Sequence, residues 1–185
     1  MTPYTKKYVI TGAPGTGKTT LINALEKEYP CIHEVSRKVI VSEQEKGGKG
    51  MPWQDLNKFT ELVYEVSITE LDSNPQALFT DRSMLDLIAY LHVEGKPVPS
   101  SLDHFPYHDK FRKTVFFAPT WGAIFHKDEQ RQQEFDYCIE LEKVLEKNYR
   151  EKGFEIIVLP KDSVLNRVEF IKNIVFSSDP NSESL

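Results

Sequence analysis

The residues best suited to chemistry stand in one short stretch near the amino terminus, GAPGTGKT at positions 12–19. It fits the pattern G-x-x-x-x-G-K-[ST], in which glycines let backbone N–H groups turn towards phosphate oxygens. Lys18 can reach the β- and γ-phosphates of a nucleoside triphosphate, and Thr19 can offer its hydroxyl to Mg²⁺. We therefore expect ATP, with GTP left open, and Mg²⁺ to bind here. The expected nucleotide contacts are Gly12, Ala13, Pro14, Gly15, Thr16, Gly17, Lys18, Thr19 and Thr20.

A charged pair, Asp81 and Arg82, follows the apolar segment at 77–80. In a parallel α/β sheet the carboxyl ends of the strands face the ligand crevice. Asp81 could there hold Mg²⁺ or take a proton from an acceptor hydroxyl, and Arg82 could clamp a substrate anion. The alternative is a surface ion pair in which Asp81 is the N-cap of the next helix. Because the glycine-rich stretch places a site on the same edge, we favour the functional interpretation.

A second charged pair, Glu34 and Arg37, lies where the segment CIHE runs into a helical pattern. Glu34 is a candidate general base, and Arg37 is a candidate ligand of the acceptor. The alternative is ordinary charge matching at a helix start, where a glutamate is favourable in any case. Either Glu34 or Asp81 could act as the base, and the sequence leaves that choice open.

The segment at 118–135, APTWGAIFHKDEQRQQEF, follows the fourth strand pattern. Small phosphotransferases close a lid at this place and bring arginines onto the transferred phosphoryl group. Arg131 is the best candidate for this role and Lys127 a weaker one. A solvated charge on a helix face is the alternative for Arg131. Trp121 could stack on a base, although core packing is the favoured interpretation.

Strand and helix patterns alternate along the chain, which favours a parallel sheet covered by helices on both faces. Short apolar or aromatic segments predict strands at 7–11, 31–34, 77–80, 114–118 and 154–159. Amphipathic patterns predict helices after the glycine-rich stretch and at 36–46, 53–72, 84–92, 128–152 and 163–176. The residues between 94 and 109 are rich in proline and predict a packed loop.

The 185 residues are enough for one domain, which we expect at 1–178 with a disordered tail at 179–185. A net charge of −5 argues against a general nucleic-acid binder. No apolar run approaches the length of a membrane span, and no signal-peptide pattern is present, so we expect a cytoplasmic protein. Cys31 and Cys138 have no metal-binding spacing and are expected to be buried thiols. The oligomeric state stays open.

Taken together, the motifs GAPGTGKTTL, HEVSRKVI, FTDRSMLDLIAYL and PTWGAIFHKDEQRQ make the chain resemble a known family over about residues 6 to 176. It resembles the small P-loop ATPases labelled AAA domain, which are related to the nicotinamide riboside kinase domain of bacterial NAD-salvage proteins. More distantly it is similar to nucleoside and nucleoside-monophosphate kinases. The first motif is specific for nucleotide binding, and the others together narrow the family.

The resemblance implies a three-layer α/β fold of the P-loop NTPase type, with a five-stranded parallel sheet in the order 2-3-1-4-5. It implies that Glu34 or Asp81 serves the acceptor and Mg²⁺, and that Arg131 belongs to the lid. It also implies that the loop after the fifth strand lies against the nucleotide base, with Arg167 nearby. The residues of this loop are Pro160, Ser163 and Val164.

Two functions from different classes are consistent with these residues. The first is a Mg·ATP-dependent phosphotransferase for a small, nucleoside-like hydroxyl compound, with basal ATPase activity. The second is a nucleotide-dependent binding module or switch, an ATPase or GTPase with a protein or lipid partner. The acceptor-side charges Glu34, Arg37, Asp81 and Arg82 favour the enzyme, because a switch has less use for them.

Overall fold

Five strands form a single parallel sheet in the computed structural model, which describes residues 6–125 and 134–176. The order is β2-β3-β1-β4-β5, so the order implied by the resemblance is confirmed. Every pair of neighbours is parallel, as the crossover helices between them require. The strands are β1 Lys7–Thr11, β2 Cys31–Ile32, β3 Phe79–Asp81, β4 Phe111–Phe117 and β5 Glu155–Val158.

Helices follow most strands and cover both faces of the sheet. The proline-rich loop between α4 and β4 contains two four-residue helices that the sequence did not predict, each beginning directly after a proline. A proline is well tolerated at a helix start because it lacks only an N–H that would be unpaired there. The helices are α1 Lys18–Leu25, α2 Val35–Glu45, α3 Leu56–Ser73, α4 Met84–Val93, α5 Ser100–Asp103, α6 Tyr107–Lys110, α7 Phe135–Glu151 and α8 Val164–Phe176.

Alternating side chains on each strand point to two separate apolar layers. On β1, Val9 belongs to the core packed by α2, α3, α4 and α7, whereas Ile10 belongs to the core packed by α1 and α8. Both side chains are completely buried. The chain therefore has the three-layer α/β architecture that the sequence predicts.

The carboxyl ends of all five strands meet at one edge of this sheet. The glycine-rich stretch follows β1, Glu34 follows β2, and Asp81 is the last residue of β3. Residues 119–125 follow β4, and residues 159–163 follow β5. The topology thus brings the separate charged pairs of the sequence to the same side of the molecule.

Two further expectations can be compared with the described residues. Cys138 is buried as expected, but Cys31 is only partly buried. Burial, together with the nearby Glu26, raises the pKa of the Cys31 thiol to about 12.

Among the described residues, no helix has both the length and the apolar character that crossing a membrane requires. The tail expected at 179–185 lies outside the described residues.

Candidate functional site

The loop between β1 and α1 needs its glycines for two physical reasons. Gly12, Gly15 and Gly17 have φ values of 142°, 79° and 79°, which side chains rarely permit. A Cβ atom at Gly12 would lie 2.1 Å from Ala118 O, and one at Gly15 would lie 2.8 Å from the ring of Phe125. The loop is therefore a cradle whose backbone can be approached closely, directly before the positive end of the α1 dipole.

Lys18 folds back over this loop and is 5% exposed. Its Nζ donates to Ala13 O at 2.7 Å and to Thr16 Oγ1 at 3.1 Å. Burial, reinforced by the charge of Arg82, lowers the pKa of Lys18 to about 7. Phosphate oxygens would restore the solvation that the ammonium group loses in the loop, so the residue fits the anion that the motif predicts.

Asp81 is buried at the end of β3, with 3% of its surface exposed. Among the described residues, its Oδ1 has no hydrogen-bond partner. Burial first, and the charge of Glu34 second, raise the pKa of Asp81 to about 6. A surface ion pair is excluded, and the N-cap of α4 is Ser83, whose side chain accepts from Leu85 N.

These features fit the metal predicted from the sequence. A buried carboxylate oxygen without a partner is costly unless a cation or donor satisfies it. Hard oxygen ligands such as the Asp81 carboxylate and the Thr19 hydroxyl are those that Mg²⁺ prefers. Thr19 lines the same cleft as Asp81. Both residues could hold Mg²⁺ together with phosphate oxygens.

Glu34 connects the two predicted arginines. Its Oε1 accepts from Arg82 Nε at 2.9 Å and from Ser36 Oγ at 2.7 Å, and its Oε2 accepts from Arg37 Nε at 3.1 Å. Glu34 stands at the N-cap of α2 but makes no side-chain cap hydrogen bond. Burial opposes its ionised form, yet Arg82 and Lys18 outweigh burial and hold the pKa of Glu34 well below its usual range. Glu34 is therefore a carboxylate at neutral pH.

Arg82 has an unusual backbone and a dense set of partners. Its φ of 72° is the one positive value among the non-glycine residues that the structure describes. Such conformations cost free energy and persist only when the surroundings hold them in place. Besides Glu34, Arg82 contacts Gly12 O at 3.0 Å and Asp86 Oδ1 at 2.9 Å through Nη1. These contacts join the glycine-rich loop to the carboxyl ends of β2 and β3.

Sequence reasoning missed Asp86 and Tyr149, which complete this network. Asp86 closes the capping box of α4 with Ser83, a local signal that the letters SMLD contain. Its Oδ1 also accepts from Thr11 Oγ1 at 2.7 Å, and its Oδ2 accepts from Tyr149 OH at 2.7 Å. No local pattern in the sequence indicates the contact with Tyr149, which lies 63 positions away.

A cleft of about 1120 Å³ opens over these groups. Most of the predicted nucleotide-binding residues line it, namely Pro14, Gly15, Thr16, Gly17, Lys18, Thr19, Thr20, Ser163 and Val164. Gly12, Ala13 and Pro160 do not line it; Gly12 packs against Ala118, and Ala13 supplies the carbonyl that Lys18 contacts. Trp121 lies on the cleft wall, half-buried, and not in the core.

The cleft extends from the phosphate loop towards α2, α3 and α4. Glu34, Arg37, Asp81 and Arg82 line this part, so the structure brings all four predicted acceptor-side residues together. The walls beside them are mostly apolar or aromatic, which suits a flat organic ring. These wall residues are Ile40, Trp53, Leu56, Phe59, Leu87 and Tyr90.

Arg167 of α8 also lines the cleft, and it reaches the backbone of the glycine-rich stretch. Its Nη1 donates to Thr16 O at 3.0 Å, and only 3% of the residue is exposed. Burial lowers the pKa of Arg167. Arg131 and Lys127, the predicted lid residues, lie outside the described residues.

The phosphate loop with its lysine lies between β1 and α1, at the edge of a parallel sheet of order 2-3-1-4-5. Together these features define a P-loop domain with a nucleoside- and nucleotide-kinase-like fold. The family model described as AAA domain matches residues 7–167. The chain belongs to this AAA-domain family, as the resemblance predicted. No curated protein matches the sequence.

Solved structures similar to this chain include two kinds of kinase. Thymidylate kinase from Candida albicans has a TM-score of 0.64 and 12% identity, with 96% of this chain and 94% of that chain covered. Deoxyadenosine kinase from M. mycoides, with bound dATP, has a TM-score of 0.62 and 18% identity, with 92% and 98% covered. A second structure of that enzyme, with products bound, has a TM-score of 0.59 and 16% identity, with 94% and 100% covered. At these identities the likeness shows the fold.

Proposed function

We propose that the protein binds Mg·ATP and transfers the γ-phosphoryl group to a hydroxyl of a small, nucleoside-like acceptor, with basal ATPase activity. One observation carries the proposal. The ion-paired carboxylate Glu34 lines the same cleft as the phosphate loop and is held there by Arg82 and Arg37. A protein that only hydrolyses or senses a nucleotide has no use for an apolar-walled extension that ends in an oriented carboxylate.

The residues of the loop would act by positioning and charge stabilisation, as phosphoryl transfer requires. Lys18 would contact the β- and γ-phosphates, and Arg131 would add a second cation to the transferred group when the lid closes. Mg²⁺, held by Thr19 and Asp81, would neutralise charge on the phosphate oxygens. The nucleobase would lie against Ser163 and Val164, with Arg167 nearby.

Between the two carboxylates, the electrostatics favour Glu34 as the group that receives the acceptor hydroxyl. Arg82 and Lys18 keep Glu34 ionised, and an ionised carboxylate can accept a hydrogen bond from a hydroxyl. Its low proton affinity is no obstacle, because a loose transition state requires orientation of the nucleophile more than early proton removal. Asp81, whose pKa is raised, suits the metal better, since a bound cation would stabilise its charged form.

The similar structures supply further support for a nucleoside-like acceptor. They are a thymidylate kinase and a deoxyadenosine kinase, and one of these structures holds dATP. The wall formed by Trp53, Phe59 and Tyr90 matches the flat shape of a base. The cytoplasmic location predicted from the sequence belongs to the same proposal.

The test is ADP production with Mg·ATP in the presence of nucleosides, nucleoside monophosphates and vitamin-like alcohols. One class of compound should raise the rate far above the basal rate, and Lys18→Ala should abolish the stimulation. A Lys27→Ala variant, which changes a lysine of the same helical region outside the cleft lining, is the matched control. Tight ATP binding with a slow rate that no compound changes would overturn the phosphotransferase and favour a nucleotide-dependent switch.

A further inference from the structure

At the acceptor end of the cleft, the positive charge of Arg82 is paired with two carboxylates. Its Nε donates to Glu34 Oε1 and its Nη1 to Asp86 Oδ1, each at 2.9 Å. The exposed fractions of the Arg82, Glu34 and Asp86 side chains are 11%, 15% and 3%. Salt and water screen such buried pairs weakly, so the charge of Arg82 is largely cancelled inside the cleft. The sequence had suggested that this arginine clamps a substrate anion, and its partners make that role costly.

The charge balance of the whole cluster leads to the same conclusion. Arg37 is also bound to Glu34, with 3.1 Å between Nε and Oε2. The cluster of Glu34, Arg37, Arg82 and Asp86 therefore contains two carboxylates and two guanidinium groups, whose formal charges cancel. A phosphate dianion that approached Arg82 would have to displace Glu34, or else lie beside two carboxylates. An uncharged hydroxyl needs neither change, because it can donate directly to Glu34.

Asp86 is fixed in this position from three directions. Each of its carboxylate oxygens accepts two hydrogen bonds: Oδ1 from Thr11 Oγ1 and Arg82 Nη1, and Oδ2 from Ser83 N and Tyr149 OH. With all four bonds made, the carboxylate cannot turn away from Arg82 when a ligand enters. Its charge is thus a permanent property of the acceptor site.

We propose that the acceptor is an uncharged hydroxyl compound of nucleoside-like shape rather than a nucleoside monophosphate, and that Asp86 determines this specificity by neutralising Arg82. The inference rests on the proposed phosphotransferase and names the charge class of its second substrate. It distinguishes between the two kinds of kinase whose folds are similar to this chain, a nucleotide kinase and a nucleoside kinase. It also predicts that removing the charge of Asp86 makes Arg82 available to an anion.

Asp86→Asn is the informative substitution because asparagine keeps the size of the side chain. The amide oxygen can still accept from Thr11 and Arg82, and the amide nitrogen can donate to the Tyr149 hydroxyl. Of the four hydrogen bonds, only the one that Ser83 N donates to Oδ2 is lost, because an amide nitrogen cannot accept it. Tyr149→Phe is the matched control, since it removes the hydrogen bonds that the Tyr149 hydroxyl makes with Asp86 Oδ2 and Ser83 Oγ and keeps the charge of Asp86. Glu34→Gln is a second way to release Arg82, and binding measurements make it informative although it removes the proposed base.

The experiment compares nucleosides with their 5′-monophosphates in the wild type and these variants. Turnover is measured as kcat/KM with Mg·ATP, and binding is measured by calorimetry with Mg²⁺ and a non-hydrolysable ATP analogue. We expect the wild type to prefer nucleosides by at least about tenfold, because like charges placed together are costly. Asp86→Asn should reduce this preference at least about tenfold, and Glu34→Gln should do the same in binding. Tyr149→Phe should leave it within about threefold, since the charges are unchanged.

A wild type that prefers monophosphates would overturn the inference, as would a preference that neither Asp86→Asn nor Glu34→Gln changes. In both cases, stimulation of ADP release by either class of compound would leave the phosphotransferase standing. If Asp86→Asn does not fold, the binding data for Glu34→Gln decide. If neither class of compound binds or stimulates ADP release, both the proposed phosphotransferase activity and the inference are wrong.

Discussion

Gly12 shows how closely the phosphate loop packs against its neighbour at the scale of a residue. A methyl group there would meet the carbonyl oxygen of Ala118 at 2.1 Å, and this oxygen belongs to the backbone, so it cannot turn aside as a flexible side chain could. We expect Gly12→Ala to destabilise the protein by about 3 kcal/mol or more and to abolish ATP binding, because the loop must move to relieve the clash. Urea unfolding and calorimetric titration measure the two effects.

The matched control for that substitution is Gly47→Ala. Gly47 also has a positive φ, 65°, but a Cβ atom there would meet no atom within 4 Å. Its replacement should cost only about 1 kcal/mol and leave ATP binding unchanged. Equal losses at the two glycines would show that backbone strain alone, and not the contact with Ala118, explains the result.

Asp81 gives a prediction about pH at the same scale. Its pKa of about 6 in the folded protein lies above the ordinary value of 3.8, so the folded form binds this proton more tightly than the unfolded chain. The wild type therefore loses stability as the pH rises from about 4 through 6. Asparagine has the same shape and does not titrate, so Asp81→Asn should be the more stable protein at pH 7.5, by on the order of 2 kcal/mol.

The comparison requires unfolding curves of both proteins at pH 4.5, 6 and 7.5, without nucleotide or Mg²⁺. The advantage of Asp81→Asn should shrink as the pH falls, while the proposed Mg²⁺-dependent turnover should be lost at every pH. A difference that does not depend on pH would contradict the raised pKa. A less stable variant at pH 7.5 would contradict the idea that Asp81 is kept at a cost in stability for the sake of the site.

At the scale of elements, α8 and the phosphate loop are joined by one side chain. Arg167 donates to Thr16 O, yet its Nε is buried without a partner among the described residues. Replacing a buried charge with an apolar side chain of similar volume is often neutral for stability. We therefore expect Arg167→Met to change the unfolding free energy by less than about 1 kcal/mol but to weaken ATP binding about tenfold.

Arg150→Met is the control for this prediction, because Arg150 lies on the exposed face of α7 and pairs with Glu146. It should alter neither stability nor affinity measurably. Isothermal titration with ATP and thermal unfolding of both variants are the required measurements. A loss of stability without a loss of affinity in Arg167→Met would show that Arg167 supports the fold and does not position the loop.

The elements also show what the sequence can and cannot predict. β1 has the predicted bounds, because an apolar run and a glycine-rich motif define both of its ends locally. β4 begins three residues earlier than predicted, at Phe111, since its charged residues are satisfied by contacts from other parts of the chain. Arg112 lies over the ring of Tyr8 at 5.3 Å, and Lys113 pairs with Glu155 on β5. A pattern of apolar residues cannot indicate such partners.

The same distinction holds for the site. Four residues could be named because each lies at the carboxyl end of a strand or in the short segment that follows it, where topology brings it to the cleft: Lys18, Glu34, Asp81 and Arg82. Asp86 and Tyr149 could not be named, because their importance lies in a contact between α4 and α7 that depends on packing. Local spacing therefore identifies groups that face a ligand, whereas the side chains that hold those groups in place can be identified only in the folded structure.

At the scale of the whole molecule, two cores share one sheet. Leu145 of α7 is completely buried on one face, and Leu25 of α1 is 1% exposed on the other. Because β1, β2, β4 and β5 each contribute side chains to both layers, neither core can persist when the sheet is lost. We propose on this basis that the chain is the single domain expected from its length, and that it unfolds as one cooperative unit.

Two substitutions on opposite faces of the sheet, Leu25→Ala and Leu145→Ala, test whether the two cores unfold together. Each removes a well-buried side chain and should cost about 2–5 kcal/mol, because a cavity remains in a core that relaxes only partly. Both variants should shift one common calorimetric transition to lower temperature, with equal calorimetric and van't Hoff enthalpies. Two transitions in the wild type, or a shift of only one part of the transition by each variant, would show that the two faces of the sheet melt separately. The cleft would then join two units of different stability, and Mg·ATP, which we propose binds between elements of both faces, would be expected to merge the two transitions into one.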